Sequence, residues 1–198
     1  MELLKLQSGD YTKSVWSGGT TTQLAIAPEG ASYAARDFLW RVSSATVEQE
    51  TSSFTALPDY ERLITTIEGE IVLRHGDGAP IRLRPGEVHA FSGADETCCA
   101  GRCTDFNLML RRGRASGTME ALRLAPGEKL APQTLREGET LLLYTTRGCC
   151  TVSEGRQSLR LQTGEILRAE GEGRLSCVAC DRGASVILCR ISLLFPDS

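Results

Sequence analysis

A chain of 198 residues is long enough to bury one sizeable core or two smaller ones. Its 22 Lys and Arg against 25 Asp and Glu leave a net charge of −3, with Lys only at positions 5, 13 and 129, which argues against the basic footprint of a nucleic-acid-binding surface. No apolar run approaches the ~20 residues of a membrane span, and Met1-Glu2-Leu3-Leu4-Lys5-Leu6 lacks the basic region and long apolar core of a signal peptide; a soluble cytoplasmic protein with no nucleic-acid or membrane partner is expected.

Taken in order, residues 1–14 read as an edge strand. They lead into Trp16-Ser17-Gly18-Gly19-Thr20-Thr21-Thr22-Gln23, where two glycines and three threonines exclude a helix interior and predict a loop feeding a strand through Ile26. Residues 38–47 alternate well enough for a strand, and residues 54–58 lead into a meander over 59–93. There, short β-branched runs at 63–67, 71–73, 81–83 and 88–91 are separated by tight Gly-containing turns, the pattern of antiparallel hairpins. Residues 105–110 alternate strictly, so Asp105, Asn107 and Met109 share one face and Phe106, Leu108 and Leu110 the other. The polar, Gly-rich residues 113–117 read as a linker.

Beyond the linker the pattern returns. Residues 141–148 answer 63–69, residues 159–166 answer 81–88, and residues 185–190 answer 107–112. Repeats of this length are whole barrels rather than solenoid units. The expected fold is all-β, two tandem jelly-roll barrels over 1–112 and 118–198. The eight cysteines, at 98, 99, 103, 149, 150, 177, 180 and 189, invite a zinc reading, but adjacent pairs on a strand point to opposite faces and so do residues three apart. Small buried thiols filling a core are the better reading.

Glu68-Gly69-Glu70 followed by Arg84-Pro85-Gly86-Glu87-Val88-His89 resembles the cupin superfamily, whose two motifs straddle a short turn. The resemblance implies a metal site, and this chain departs from it. Arg62 stands where the first motif would place its Glu ligand, residues 54–58 supply no His, and His89 alone matches a ligand position. In the second copy the equivalent positions are Leu141 and Leu167. No metal and no other cofactor is expected in either barrel, since a guanidinium would oppose any divalent ion there. A closer similarity is to the HutD/Ves family, carried by residues 16–23, by Phe38-Leu39-Trp40-Arg41-Val42-Ser43, by Phe54, Leu57, Pro58 and Arg62, and by Asp105-Phe106-Asn107-Leu108-Met109. It covers most of the first half. It implies a bicupin without established catalysis, associated in bacteria with histidine utilisation or stress responses and with sensing or binding a small metabolite. The family's more usual Trp-x-Asn-Gly-Gly loop is here Trp16-Ser17-Gly18-Gly19, shorter and without Asn.

Polar residues on strands expected to face inward are the candidate site. Arg41 and Ser43 share one strand face, Asp105 and Asn107 another, and Arg62 and His89 mark the former metal position. If these faces converge in the first barrel, two guanidinium forks match the oxygens of a small carboxylate, Ser43, Asp105, Asn107 and Thr21 or Thr22 recognise an amide, imidazole or amine, and Trp16 supplies an apolar lid. The competing structural reading makes Arg41 and Asp105 an internal ion pair with Asn107 capping a bulge, Trp16 a core residue, His89 a surface residue, His75 solvated, and Glu68, Glu70, Glu87 and Glu165 exposed faces. No nucleophile, base and orienter are legible together, so catalytic residues are not assigned; an acid–base isomerase or lyase using His89 and Asp105 is the alternative. A third is an interaction protein that dimerises through strand edges.

Overall fold

The computed structural model describes residues 1–194. Among them the chain is all β, with 17 strands and no helix, and therefore no helix long and apolar enough to cross a membrane. The strands fall into two compact units, one of Tyr11–Ser116 with Leu194, the other of Met1–Asp10 with Gly117–Leu193.

The chain opens with β1 (Glu2–Leu6) and then builds the first of these units from β2 (Thr12–Trp16), β3 (Gly19–Ala27), β4 (Trp40–Val47), β5 (Thr51–Ser53), β6 (Tyr60–Glu68), β7 (Ile71–His75), β8 (Ile81–Leu83), β9 (Val88–Ser92), β10 (Thr97–Ala100) and β11 (Cys103–Arg111). They form a six-stranded sheet in the order β2-β3-β4-β11-β6-β9 and a four-stranded sheet in the order β5-β10-β7-β8. The β6–β7 turn is sharp because Gly69 has φ 80° and a Cβ there would lie 2.3 Å from the Arg102 carbonyl oxygen. Both sheets supply alternate side chains to one core. Ile64 and Phe91 from the larger sheet pack with Ile71, Leu73 and Leu83 from the smaller.

The second unit continues with β12 (Ala115–Leu124), β13 (Lys129–Leu135), β14 (Glu139–Glu154), β15 (Gln157–Gln162), β16 (Ile166–Glu170) and β17 (Gly173–Leu193). Its seven-stranded sheet runs β1-β16-β14-β17-β12, with β13 on β17 and β15 on β14. Leu141, Leu143, Leu161, Leu167 and Leu188 fill its core. The internal repeat is visible in the strand pairing: β6 pairs antiparallel with β11 as β14, which answers β6, pairs antiparallel with β17, which answers β11.

Three expectations change. Residues 1–14 are not one edge strand: β1 pairs with β16, because Met1 and Leu3 pack against the second unit's core and Lys5 meets Glu165 at 3.2 Å, while β2 pairs with β3. The domain limits 1–112 and 118–198 shift accordingly, residues 1–10 joining the C-terminal strands. The segment 113–117 is not a free linker. Arg114 N–H donates to Arg111 O at 3.1 Å and β12 begins at Ala115, so the glycine-rich composition marks a tight turn. Among the thiols, Cys99, Cys103, Cys150, Cys177 and Cys189 are buried filler as read, but Cys98 is exposed and Cys149 and Cys180 are half-buried.

Candidate functional site

The register of the six-stranded sheet lays the polar candidates out in rows on one face. Arg41 faces Met109, Met109 faces Arg62, and Arg62 faces Phe91. In the next row Gln23, Ser43, Asn107, Ile64 and His89 follow one another. In the third, Thr21, Ala45, Asp105 and Thr66 do. A bulge between Thr104 and Asp105 sets this last row: Thr104 pairs with Glu68 but Asp105 with Thr66, leaving Ile67 as the extra residue. Arg41, Ser43, Arg62, Asp105 and Asn107 are each at most 6% exposed. Thr22 faces Ser44 and so lies on the opposite face from Thr21; of the two alternatives only Thr21 belongs here.

Neither guanidinium is neutralised by an acidic partner. Arg41 donates from Nε to Gln23 Oε1 at 2.8 Å and from Nη1 to Ser43 Oγ at 3.0 Å, and its Cζ lies 4.6 Å from the Tyr33 ring centroid. Arg62 packs against both Phe54 and Phe91, 4.8 and 5.0 Å from their centroids, and its Nε is buried with no hydrogen-bond partner. Burial lowers the Arg41 pKa and brings that of Arg62 down to about 10. The ion pair between Arg41 and Asp105 is not formed. Asp105 Oδ1 instead accepts Ala45 N–H at 3.2 Å, and burial raises its pKa to about 7, against the opposing pull of that hydrogen bond and of Arg62. Asn107 Oδ1 is buried without a partner, as is Thr66 Oγ1.

The two histidines meet across the two sheets. His75, expected as solvated, places Nδ1 2.8 Å from Thr97 Oγ1 and Nε2 2.9 Å from His89 Nε2. Since Thr97 Oγ1 donates to Asp95 O at 3.1 Å, it accepts from His75 Nδ1–H, and His75 Nε2 accepts from His89 Nε2–H. Burial, then the proximity of His75, lower the His89 pKa. His75 also stacks on Phe91, with centroids 4.8 Å apart. Trp16 packs against the core cluster containing Phe91, with its ring over Gly18: a Cβ on Gly18 would lie 2.0 Å from Trp16 Cζ3. Trp16 also borders a cleft of about 690 Å³ lined with Ser17, Gln49, Ser52, Arg74 and Cys98. No other candidate residue lines that cleft, although its wall includes Cys99, whose thiol is pushed up to about 11 by burial and then by Asp105.

The donor set does not suit a divalent ion. The carboxylate position is taken by the Arg62 guanidinium packed against two aromatic rings, His89 is engaged with His75, and no group of three or more His, Cys, Asp or Glu is arranged to hold a metal among the described residues. In the second unit Leu141 and Leu167 are core residues, 2% and 0% exposed.

Sequence reasoning missed Gln23, Tyr33, Phe54, Phe91 and Thr66 as contributors to this face. Gln23 and Phe91 were legible in principle, each lying two residues from a candidate on the same strand (Thr21, His89). Tyr33 sits in a loop, where periodicity carries no information.

Antiparallel sheets in two repeated copies, with a buried polar face in the first, define a cupin-type protein. Residues 8–187 match the HutD family model, and the chain belongs to the HutD family. It is 29% identical over 180 residues to an uncharacterized 21.2 kDa protein in the hutC 3′ region of Pseudomonas putida, covering 88% of this chain and 90% of that one. In structure it is similar to the conserved protein PA5104 from Pseudomonas aeruginosa PAO1, with a TM-score of 0.82 and 29% identity over 98% of this chain and 100% of that one. It is also similar to HutD from Pseudomonas fluorescens SBW25, with a TM-score of 0.75 and 22% identity over 97% and 99%.

Proposed function

We propose that this chain is a metal-independent, cytoplasmic small-molecule-binding protein that takes a small carboxylate bearing a nitrogen function, in a metabolite-sensing or regulatory role. The observation that carries this reading is the pair of buried guanidinium groups on one face, neither in a salt bridge with a carboxylate among the described residues, although Asp105 lies near Arg62. A buried cation without a counterion is costly, and an organic anion relieves that cost. Arg62 Nε–H is a free donor. Asp105, held near neutrality, is a second donor when protonated. The unpartnered Asn107 Oδ1 and Thr66 Oγ1 are acceptors for an N–H, so the ligand carries both a carboxylate and a nitrogen donor. The naming of the Pseudomonas relatives for hut regions directs the search to histidine degradation.

A melting-shift screen against urocanate, formimino-glutamate and formyl-glutamate tests this. Saturation at one hundred times Kd raises stability by about 2.7 kcal/mol. Arg62→Met, which keeps an apolar side chain against Phe54 and Phe91, should fold and lose the shift. Absence of any carboxylate-dependent shift, or a full shift in Arg62→Met, would refute the reading.

A further inference from the structure

The motif that the carboxylate site leaves unused is the cluster of cysteines in the second unit. Cys149 and Cys150 lie on β14, Cys177 and Cys180 on β17, and the pairing of these strands sets Cys150 opposite Ala179 just before a bulge in β17. The four thiols sort by face. Cys150 and Cys177 both face the core, at 0% and 6% exposure. Because Cys150 faces Ala179, Cys149 and Cys180 come next on the two antiparallel strands, side by side on the outer face and half-buried. Next to the outer pair stands an exposed cation: Arg160 Nη2 donates to Cys149 Sγ at 3.3 Å. With no third metal-ligating side chain grouped there among the described residues, the pair is a dithiol rather than a closed metal site.

We propose that Cys149 and Cys180 form a reactive surface dithiol that exchanges with low-molecular-weight disulfides and closes to an intramolecular disulfide. The two thiols differ in role. Arg160 donates to Cys149 and not to Cys180; the neighbouring Cys180 thiol and this guanidinium lower the pKa of Cys149, while that of Cys180 is raised, so Cys149 is the attacking thiolate and Cys180 the resolving thiol. The Cys149 thiolate attacks one sulfur of the disulfide, forming a mixed disulfide and expelling one small thiolate. Cys180 then loses its proton to solvent and attacks Cys149 Sγ, expelling the second. Two protein thiols are oxidised by two electrons and one small disulfide is reduced to two thiols. The exposed Cys98, which contacts Ser53 Oγ at 4.0 Å, serves as the internal reference.

The test treats the reduced full-length protein with oxidised glutathione, blocks remaining thiols by alkylation and maps the products by peptide mass spectrometry. The expected product in the unaltered protein is a Cys149–Cys180 link. Cys180→Ser should accumulate glutathione on Cys149 faster than on Cys98, and Cys149→Ser should form no link. Arg160→Met should slow capture at Cys149 by roughly three- to tenfold at neutral pH without changing capture at Cys98. A link that survives Cys180→Ser would place the chemistry on the buried pair, and glutathione confined to Cys98 would show Cys149 to be inert; either result overturns the proposal.

Discussion

Asp105 is the residue whose environment departs furthest from water among the carboxylates of the site. Its side chain is buried beside Arg62, Cys99 and Cys103 and accepts the Ala45 N–H, and its pKa is about 7 against ~4 in an unfolded chain. Between those values the folded state keeps a proton that the unfolded state has released. Stability therefore falls as pH rises across this window and levels off above it, by a few kcal/mol at most. Asp105→Asn should remove that decline, as read by denaturant midpoints between pH 4 and 8. A wild-type contribution that grows with pH over the same interval would contradict the assignment. The same ionisation puts a negative charge next to the proposed carboxylate, so ligand affinity should weaken above neutral pH in the wild type and lose that dependence in Asp105→Asn.

At the scale of single elements, one turn recurs. Pro85-Gly86-Glu87, Pro126-Gly127-Glu128, Glu137-Gly138-Glu139 and Thr163-Gly164-Glu165 each place the Gly at positive φ and return the Glu carboxylate to the N–H of the residue three before it, at 2.6–2.9 Å. Glu87 and Glu165 are thus turn clasps rather than plain exposed faces; the local hydrogen bond is charge-assisted. A Cβ at Gly164 meets nothing within 4 Å, so Gly164→Ala should cost only the backbone strain, about 1–2 kcal/mol. Gly19→Ala should cost more, because its Cβ would lie 1.9 Å from the Thr46 carbonyl oxygen and force β3 away from β4. Urea titrations of the two variants compare them directly, and equal losses would refute the distinction. The strands themselves were readable from alternation, as were the shared faces of Asp105, Asn107 and Met109. The bulge after Thr104 was not, because an extra residue in one strand is defined only by the partner strand it fails to match.

At the scale of the molecule, the two copies have diverged in what they bury. The first keeps Arg41, Arg62, Asp105 and Asn107 inside, whereas the second seals its core with Leu141, Leu167 and their neighbours. The second copy also recruits the N-terminus, since β1 covers the edge of β16 through five paired residues and the Lys5–Glu165 contact. Deleting residues 1–7 should strip hydrogen-exchange protection from 166–170 first while β6 and β11 keep theirs. Uniform loss, or no loss, would show that β1 is not what protects that edge.

The amino-acid order by itself determined the β class, the doubled pattern, and the lack of metal-ligand residues at the positions the cupin motif would use, since strand alternation, turn glycines and residue identity are all properties of short stretches. Only the tertiary structure decided that Arg41, Arg62, Asp105 and Asn107 share one face, that His75 meets His89, that Cys149 meets Cys180, and that β1 joins the far end of the chain. Each of these depends on which distant strand pairs with which and in what register, and a period of two along one strand carries no information about its partner.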